Sequence, residues 1–289
     1  METRRSAIRA CVAAVAALAV QTAALAPGHA QDALERVRSA GEVAVGVANE
    51  RPYGYVDEDG RLTGEAPEIA RHVLGRIAPE VEMAPQVMPF GQLIDALREQ
   101  EIDLVAAGMF VTPQRCAQVA FSEPTYVVGE AFAVSPGNPL NLTDYYAISE
   151  NHEAKVGLIS GTVEYNYALV TGIPADRALL YRSFERAIRA LKEGEVDAVG
   201  LTALTAKGLA LNDPQVEATE QFFPVIDGEE VKGYGAFAFR KDDEALLAAF
   251  NAVLDDFVGS KAHWELVARF GFGPDMAPDK TTAELCAGG

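Results

Sequence analysis

The chain has 289 residues, 49% of them hydrophobic and 23% charged, with 24 Lys and Arg against 42 Asp and Glu and a formal net charge of −18. This is too apolar for a disordered chain and long enough for one large or two ordinary domains. The acidic excess repels phosphate backbones and anionic membrane surfaces, which argues against sequence-independent binding of nucleic acid.

At the amino terminus, Arg4, Arg5 and Arg9 precede a charge-free apolar run from Ala10 to Ala26, and Gly28-His29-Ala30 supplies the small residues of a cleavage point. The pattern predicts a signal peptide over 1–30, because the run is short against the ~20 residues a spanning helix needs. Thr3-Arg4-Arg5-Ser6 hints at twin-arginine export, and Cys11 precedes the apolar run, so it is no lipid acceptor. Cleavage removes three arginines and one glutamate, leaving a net charge of −20 on a chain expected to be periplasmic. Cys116 and Cys286 are then the remaining cysteines, and an oxidising compartment predicts that they pair. Neither their spacing nor the scattered histidines match a zinc motif, so no metal and no cofactor are predicted.

An apolar strand from Val43 to Ala48 runs into Asn49-Glu50-Arg51-Pro52. Residues 90–105, FGQLIDALREQEIDLV, are echoed at 184–199 by FERAIRALKEGEVDAV. In each copy apolar residues four apart, Leu93 and Leu97 or Ala187 and Leu191, mark one helical face, and a β-branched run follows an acidic turn. A second strand, Val156 to Ile159, leads through Ser160-Gly161-Thr162 into an expected helix from Glu164 to Val170. Alternating strands and helices predict an α/β fold of two similar lobes with parallel sheets flanked by helices, and ligands of such sheets bind beyond the carboxyl ends of the strands. Thr125 to Val134 and Tyr234 to Phe239 are β-prone and are expected to cross between the lobes. The expected division is 31–130 plus 235–289 for lobe 1 and 131–234 for lobe 2. Glu244 to Phe257 and a segment around Trp264, ending near Gly271, complete the predicted helices; their apolar stripe is read as core.

Ala107-Gly-Met-Phe-Val-Thr-Pro-Gln-Arg115, followed by Val119-Ala-Phe-Ser-Glu-Pro-Thr-Tyr126, resembles a signature of the periplasmic polar amino-acid-binding proteins of ABC importers. Asn49-Glu50, Phe110 and Arg115-Cys116-Ala-Gln look most similar to the ectoine and hydroxyectoine-binding branch. The resemblance implies a hinged two-lobe receptor, monomeric, that hands a small ligand to a membrane permease. It also implies that Arg115 holds the ligand carboxylate, a task suited to two parallel hydrogen bonds from a guanidinium. Gly161, Thr162 and Val163 are expected to assist with backbone N–H groups.

The departures are as informative. Amino-acid binders of this family commonly carry a small hydroxyl residue at position 110 and an aspartate at 202, where this chain has Phe110 and Thr202. A primary ammonium would lose its charge partner. Tyr53, Phe90 and Phe110 are instead expected to surround a delocalised cation, at about 0.5 to 2 kcal/mol per contact, with Glu50 accepting its N–H groups. Thr202 is expected to receive a further hydroxyl. The ligand so described is a compact zwitterion such as ectoine or hydroxyectoine; a polar amino acid is the alternative. A dehydratase of the same fold is the rival from another class, but Glu50 is its only obvious acid or base.

Overall fold

Two mixed sheets divide residues 33–288, the part of the chain that the computed structural model describes. The expected signal peptide, residues 1–30, lies outside the described residues. The first sheet has the order β2-β1-β3-β11-β4: β1 is Glu42–Val47, β2 Glu82–Val87, β3 Leu104–Phe110, β4 Ala120–Phe121 and β11 Gly233–Phe239, and β5, Tyr126–Val128, also pairs with β11. The second has the order β8-β7-β9-β6-β10, with β6 Glu130–Val134, β7 Val156–Ile159, β8 Ala178–Tyr181, β9 Ala198–Thr202 and β10 Glu217–Ala218.

The echo seen in the sequence builds equivalent parts of the two lobes. Phe90–Gln92 forms a short turn of 3-10 helix before α3, Leu93–Arg98, and its counterpart is α7, Phe184–Lys192. Ser183 caps α7 by accepting from the Arg186 backbone N–H at 3.3 Å. Helix α2, Glu65–Ile77, buries Ile69, Val73 and Leu74 on one face against β3 and α9, Glu244–Phe257. Each such side chain removed from water contributes about 1.5 to 3 kcal/mol.

Two expectations need correction. The sheets are not wholly parallel: β11 runs antiparallel to β3, and β6 runs antiparallel to β9. These strands are entered by extended chain rather than through a crossover helix, and only a crossover imposes the parallel sense. Nor does Tyr234 to Phe239 cross between lobes. It lies wholly inside the first sheet, bonded to β3 and β4, and its apolar pattern reports a strand buried on both faces. The segment 125–134 does pass from one sheet to the other, and the change falls at Gly129, where a Cβ would approach the Phe222 carbonyl to 2.7 Å.

The last helix, α11 (Thr282–Ala287), is held to α4 (Pro113–Cys116) by a Cys116–Cys286 disulfide with Cα atoms 5.7 Å apart across 170 residues of sequence. Closing a loop of that length stabilises a fold by about 2 to 5 kcal/mol in the chain-entropy account. Cys116→Ser/Cys286→Ser should therefore melt several degrees lower than wild type by calorimetry, and the wild type should fall to the same value in reductant.

Candidate functional site

The Thr-Pro-Gln-Arg sequence explains how Arg115 is placed. Thr112 at the end of β3 caps α4 by accepting from the Arg115 N–H at 3.3 Å, and Pro113 fills the first helical position, where no backbone donor is required. This turns the guanidinium into the interior, 7% exposed. Nη1 donates to the Phe110 carbonyl at 2.7 Å and Nη2 donates across the cleft to the Gly161 carbonyl at 2.9 Å. The guanidinium carbon stands 5.4 Å from the centre of the Phe90 ring. Burial lowers its pKa to about 10, with Glu164 acting in the opposite sense. A buried cation held by two carbonyl dipoles is short of negative charge, and a carboxylate is the group that supplies it.

The lobes also meet through a chain of hydroxyls. Tyr53 donates to Thr202 Oγ1 at 2.8 Å, Thr202 lies 3.1 Å from Thr205 Oγ1, and Thr205 donates to Glu50 Oε1 at 2.7 Å. The chain therefore leaves lobe 1 at Tyr53 and returns to it at Glu50. Thr202 is also the cap of α8 (Ala203–Asn212), which fixes its hydroxyl. The Tyr53 ring packs on Tyr126 and Phe272, with centroids 5.4 and 5.6 Å apart, so Tyr53 sends a hydroxyl rather than an open face toward lobe 2. Phe110 has one face on Gly233, which has no Cβ to displace it. The Phe90 ring and the Phe110 carbonyl meet Arg115, whereas the rings of Phe110 and Tyr53 belong to the core that also holds Tyr126.

Thr162 donates to the Ile159 carbonyl at 2.9 Å, which orders the Gly161-Thr162-Val163 turn leading into α6, Glu164–Val170. Gly161 has φ of +89°, and the two lobes touch backbone to backbone there: a Cβ on Gly91 would lie 2.8 Å from the Ser160 carbonyl. Close approach of glycines is what lets Arg115 reach Gly161. A cavity of about 890 Å³ opens beyond this closure, lined by Glu50, Pro52, Phe184, Leu204 and Thr205 among others, but not by Arg115, Phe90 or Phe110. Glu50 is thus reached from the outer cleft, whereas Arg115 is sealed inside.

Reading the sequence for loops missed four buried groups. Glu65, at the start of α2, accepts from Thr125 Oγ1 at 2.8 Å. Glu130 and Glu164 sit in lobe 2, and Tyr126 donates to the Gly108 carbonyl at 3.1 Å. The charged residues inside otherwise apolar segments were the available signal. Burial raises the pKa of Glu50 to about 8, with Thr205 lowering it and Glu164 raising it; burial raises Glu65 to about 8 as well. Burial also pushes Glu130 and Glu164 upward. Among the described residues, no group of three or more His, Cys, Asp or Glu is arranged to hold a metal ion, and no helix is long and apolar enough to cross a membrane.

A hinged pair of α/β lobes meeting over a buried arginine is the build of an extracytoplasmic solute receptor. Residues 43–273 match the model of the bacterial extracellular solute-binding proteins, family 3, and the chain belongs to that family. It is 34% identical over 259 residues to a probable amino-acid ABC transporter periplasmic-binding protein, y4tE, of Sinorhizobium fredii, covering 88% of this chain and 86% of that one. An arginine-binding protein of an Escherichia coli ABC transporter is 26% identical, covering 70% and 79%. The crystal structure of EhuB in complex with hydroxyectoine superposes with a TM-score of 0.81 at 32% identity, covering 90% of this chain and 99% of that one. The protein is therefore a solute-binding receptor of an amino-acid-type ABC importer, a class that captures small molecules for delivery to a membrane permease.

Two outcomes follow from this geometry. Gly91→Ala should weaken ligand binding tenfold or more by holding the lobes apart, with little change in the melting temperature of the ligand-free protein. The second concerns pH. Glu65 faces Thr125, Tyr53 and Tyr126, and it binds its proton more tightly in the folded chain than in the unfolded one. Its contribution is complete below its ordinary value of 4.5 and is lost as the pH rises through about 8. His263, lowered by burial to about 4, acts in the opposite direction but only below its ordinary 6.5. Between pH 6.5 and 8 the wild type should thus lose stability as the pH rises. Glu65→Gln should lessen that slope without abolishing it, since Glu50 is raised in the same way, and should gain on wild type by a few kcal/mol in order of magnitude, as thermal melts across the range would measure.

Proposed function

We propose that the receptor captures a small zwitterion of the ectoine type by closing its lobes around it. The observation that carries this reading is Arg115: a buried guanidinium whose hydrogen-bond partners are carbonyls, one from each lobe, beside the Phe90 ring. The ligand carboxylate takes the guanidinium, assisted by the Gly161-Thr162-Val163 turn. The cation lies against Phe90 and Phe110, Glu50 accepts its N–H groups, and Tyr53 contributes its hydroxyl rather than its ring. Thr202 receives the hydroxyl of a hydroxylated ligand. Contacts from both lobes are what make ligand binding shift the population toward closure. The hinge is assigned to Gly129 and to the chain entering β11, which moves the expected boundaries by a residue or two: residues up to 128 and from 233 form lobe 1, and 130–232 form lobe 2. The receptor acts as a periplasmic monomer after removal of residues 1–30. EhuB, whose structure holds hydroxyectoine, supports this ligand class. The arginine-binding relatives support a polar amino acid as the second reading.

Calorimetric titration separates the two. Wild type should bind ectoine, Arg115→Ala should abolish binding, and Phe110→Thr should weaken it at least tenfold, with melts confirming that both variants fold. Unchanged affinity in both would overturn the site. A thermal-shift comparison of ectoine, hydroxyectoine, arginine, histidine and glutamine should single out the first two, since a ligand at 100 times its Kd adds about 2.7 kcal/mol.

A further inference from the structure

Glu130 stands in an unusual place for a carboxylate. It opens β6, whose next four residues are all buried, and it is 2% exposed. Its backbone is fully engaged: the N–H donates to the Phe222 carbonyl at 2.8 Å, and the Glu130 carbonyl accepts from Phe222 at 2.9 Å. One oxygen of its side chain, Oε2, is buried without a hydrogen-bond partner. A buried carboxyl without donors costs several kcal/mol and gives this sheet nothing in packing that an apolar residue would not.

The β6–β9 register says where this carboxyl lies. Glu130 is the direct cross-strand partner of Thr202, so the two Cα atoms are about 5 Å apart on the same edge of the lobe 2 sheet. Thr202 is the residue that Tyr53 reaches from lobe 1. Glu130 also raises the pKa of Tyr53, which places the two within electrostatic reach across the cleft, and Glu50 adds to the rise at Glu130 itself. Two neighbours on the same side also carry an unpaired atom. Tyr145 OH and Glu164 Oε2, both buried, have no hydrogen-bond partner, and both flank Gly200, where a Cβ would come within 3.0 Å of the tyrosine oxygen and 3.6 Å of the Glu164 Cβ. Three unpaired polar atoms, two of them carboxyl oxygens, therefore converge at the end of lobe 2 that faces Arg115 and Glu50. Arg115 eases the ionisation of Glu164 but is not among the charges acting on Glu130 or Glu50.

We propose that Glu130 is the carboxylate by which lobe 2 grips the ligand's cation, opposite Glu50 of lobe 1, so that the site selects cations bearing N–H donors on two sides and rejects quaternary ammonium groups. The proposal rests on the reading of the previous subsection and narrows it: an amidinium, guanidinium or primary ammonium fits between two carboxylates, and a trimethylammonium offers neither an N–H. Glu164 and Tyr145 complete the pocket by bonding to the same donors or to a ligand hydroxyl.

The test is calorimetric titration of the mature chain with ectoine, glycine betaine and L-arginine. Wild type should bind ectoine and hold glycine betaine at least a hundredfold more weakly. Glu130→Gln should lose tenfold or more in ectoine affinity while melting no lower than wild type, and Glu130→Gln/Thr202→Asp, which moves the carboxylate to the cross-strand position, should regain most of the loss. Glu130→Leu gives the same comparison if the amide folds poorly. Wild-type ectoine affinity in Glu130→Gln overturns this proposal and leaves Arg115 and Glu50 in place, and so does equal binding of glycine betaine by the wild type. If L-arginine binds and ectoine does not, the ectoine reading falls, and the same tenfold loss of arginine affinity, or its absence, decides for or against Glu130. A wild type that binds none of the three overturns both.

Discussion

Everything in this molecule turns on one buried guanidinium. Arg115 is carried to the interior by a four-residue helix and stabilised by two carbonyls, one from each lobe. Desolvation opposes its charge, and dipoles compensate less well than an anion does. The closed arrangement of the lobes is in part the consequence, because the Gly161 carbonyl reaches the guanidinium only when Gly91 and Gly161 are in contact. A ligand carboxylate that took over this position would bind where both lobes contribute, and that is the condition under which binding energy is converted into closure.

The second constraint is electrostatic imbalance. Glu50, Glu65, Glu130 and Glu164 are all buried, and burial shifts each of them toward the neutral form. Their placement differs, however. Glu50 has the Thr205 hydroxyl from lobe 2 and Glu65 the Thr125 hydroxyl within lobe 1, while Glu65, Glu130 and Glu164 each keep an oxygen without a partner. The interior thus sets the Arg115 guanidinium against several under-satisfied carboxyls. A zwitterion suits this division, with its carboxylate at Arg115 and its cation among the remaining carboxyls.

Periodicity disclosed much of the scaffold. The helices Glu164–Val170 and Glu244–Phe257 and the strand Val156–Ile159 stand where apolar spacing placed them, because each buries one face or both against a continuous core. The motif around Thr112, Pro113 and Arg115 was legible because capping chemistry is local. What was not legible depended on direction. A strand's side chains alternate, so nothing in Tyr126–Val134 says which face meets the cleft; that follows from the pairing of Glu130 with Thr202, seventy-two positions away in the chain. Tyr53 was read for its ring, yet the ring is taken by Tyr126 and Phe272, and its hydroxyl is what reaches lobe 2. The strand Tyr234–Phe239 was read as a crossing because a strand buried on both faces and an extended linker share the same apolar composition.

The most direct measurement is a crystal structure of the protein with ectoine bound. The account predicts that the Arg115 guanidinium makes two hydrogen bonds to the ligand carboxylate, with the cation between the lobes at Glu50 and against Phe90 and Phe110. A ligand whose carboxylate lies elsewhere, with Arg115 still bonded to the carbonyls of Phe110 and Gly161, would contradict it.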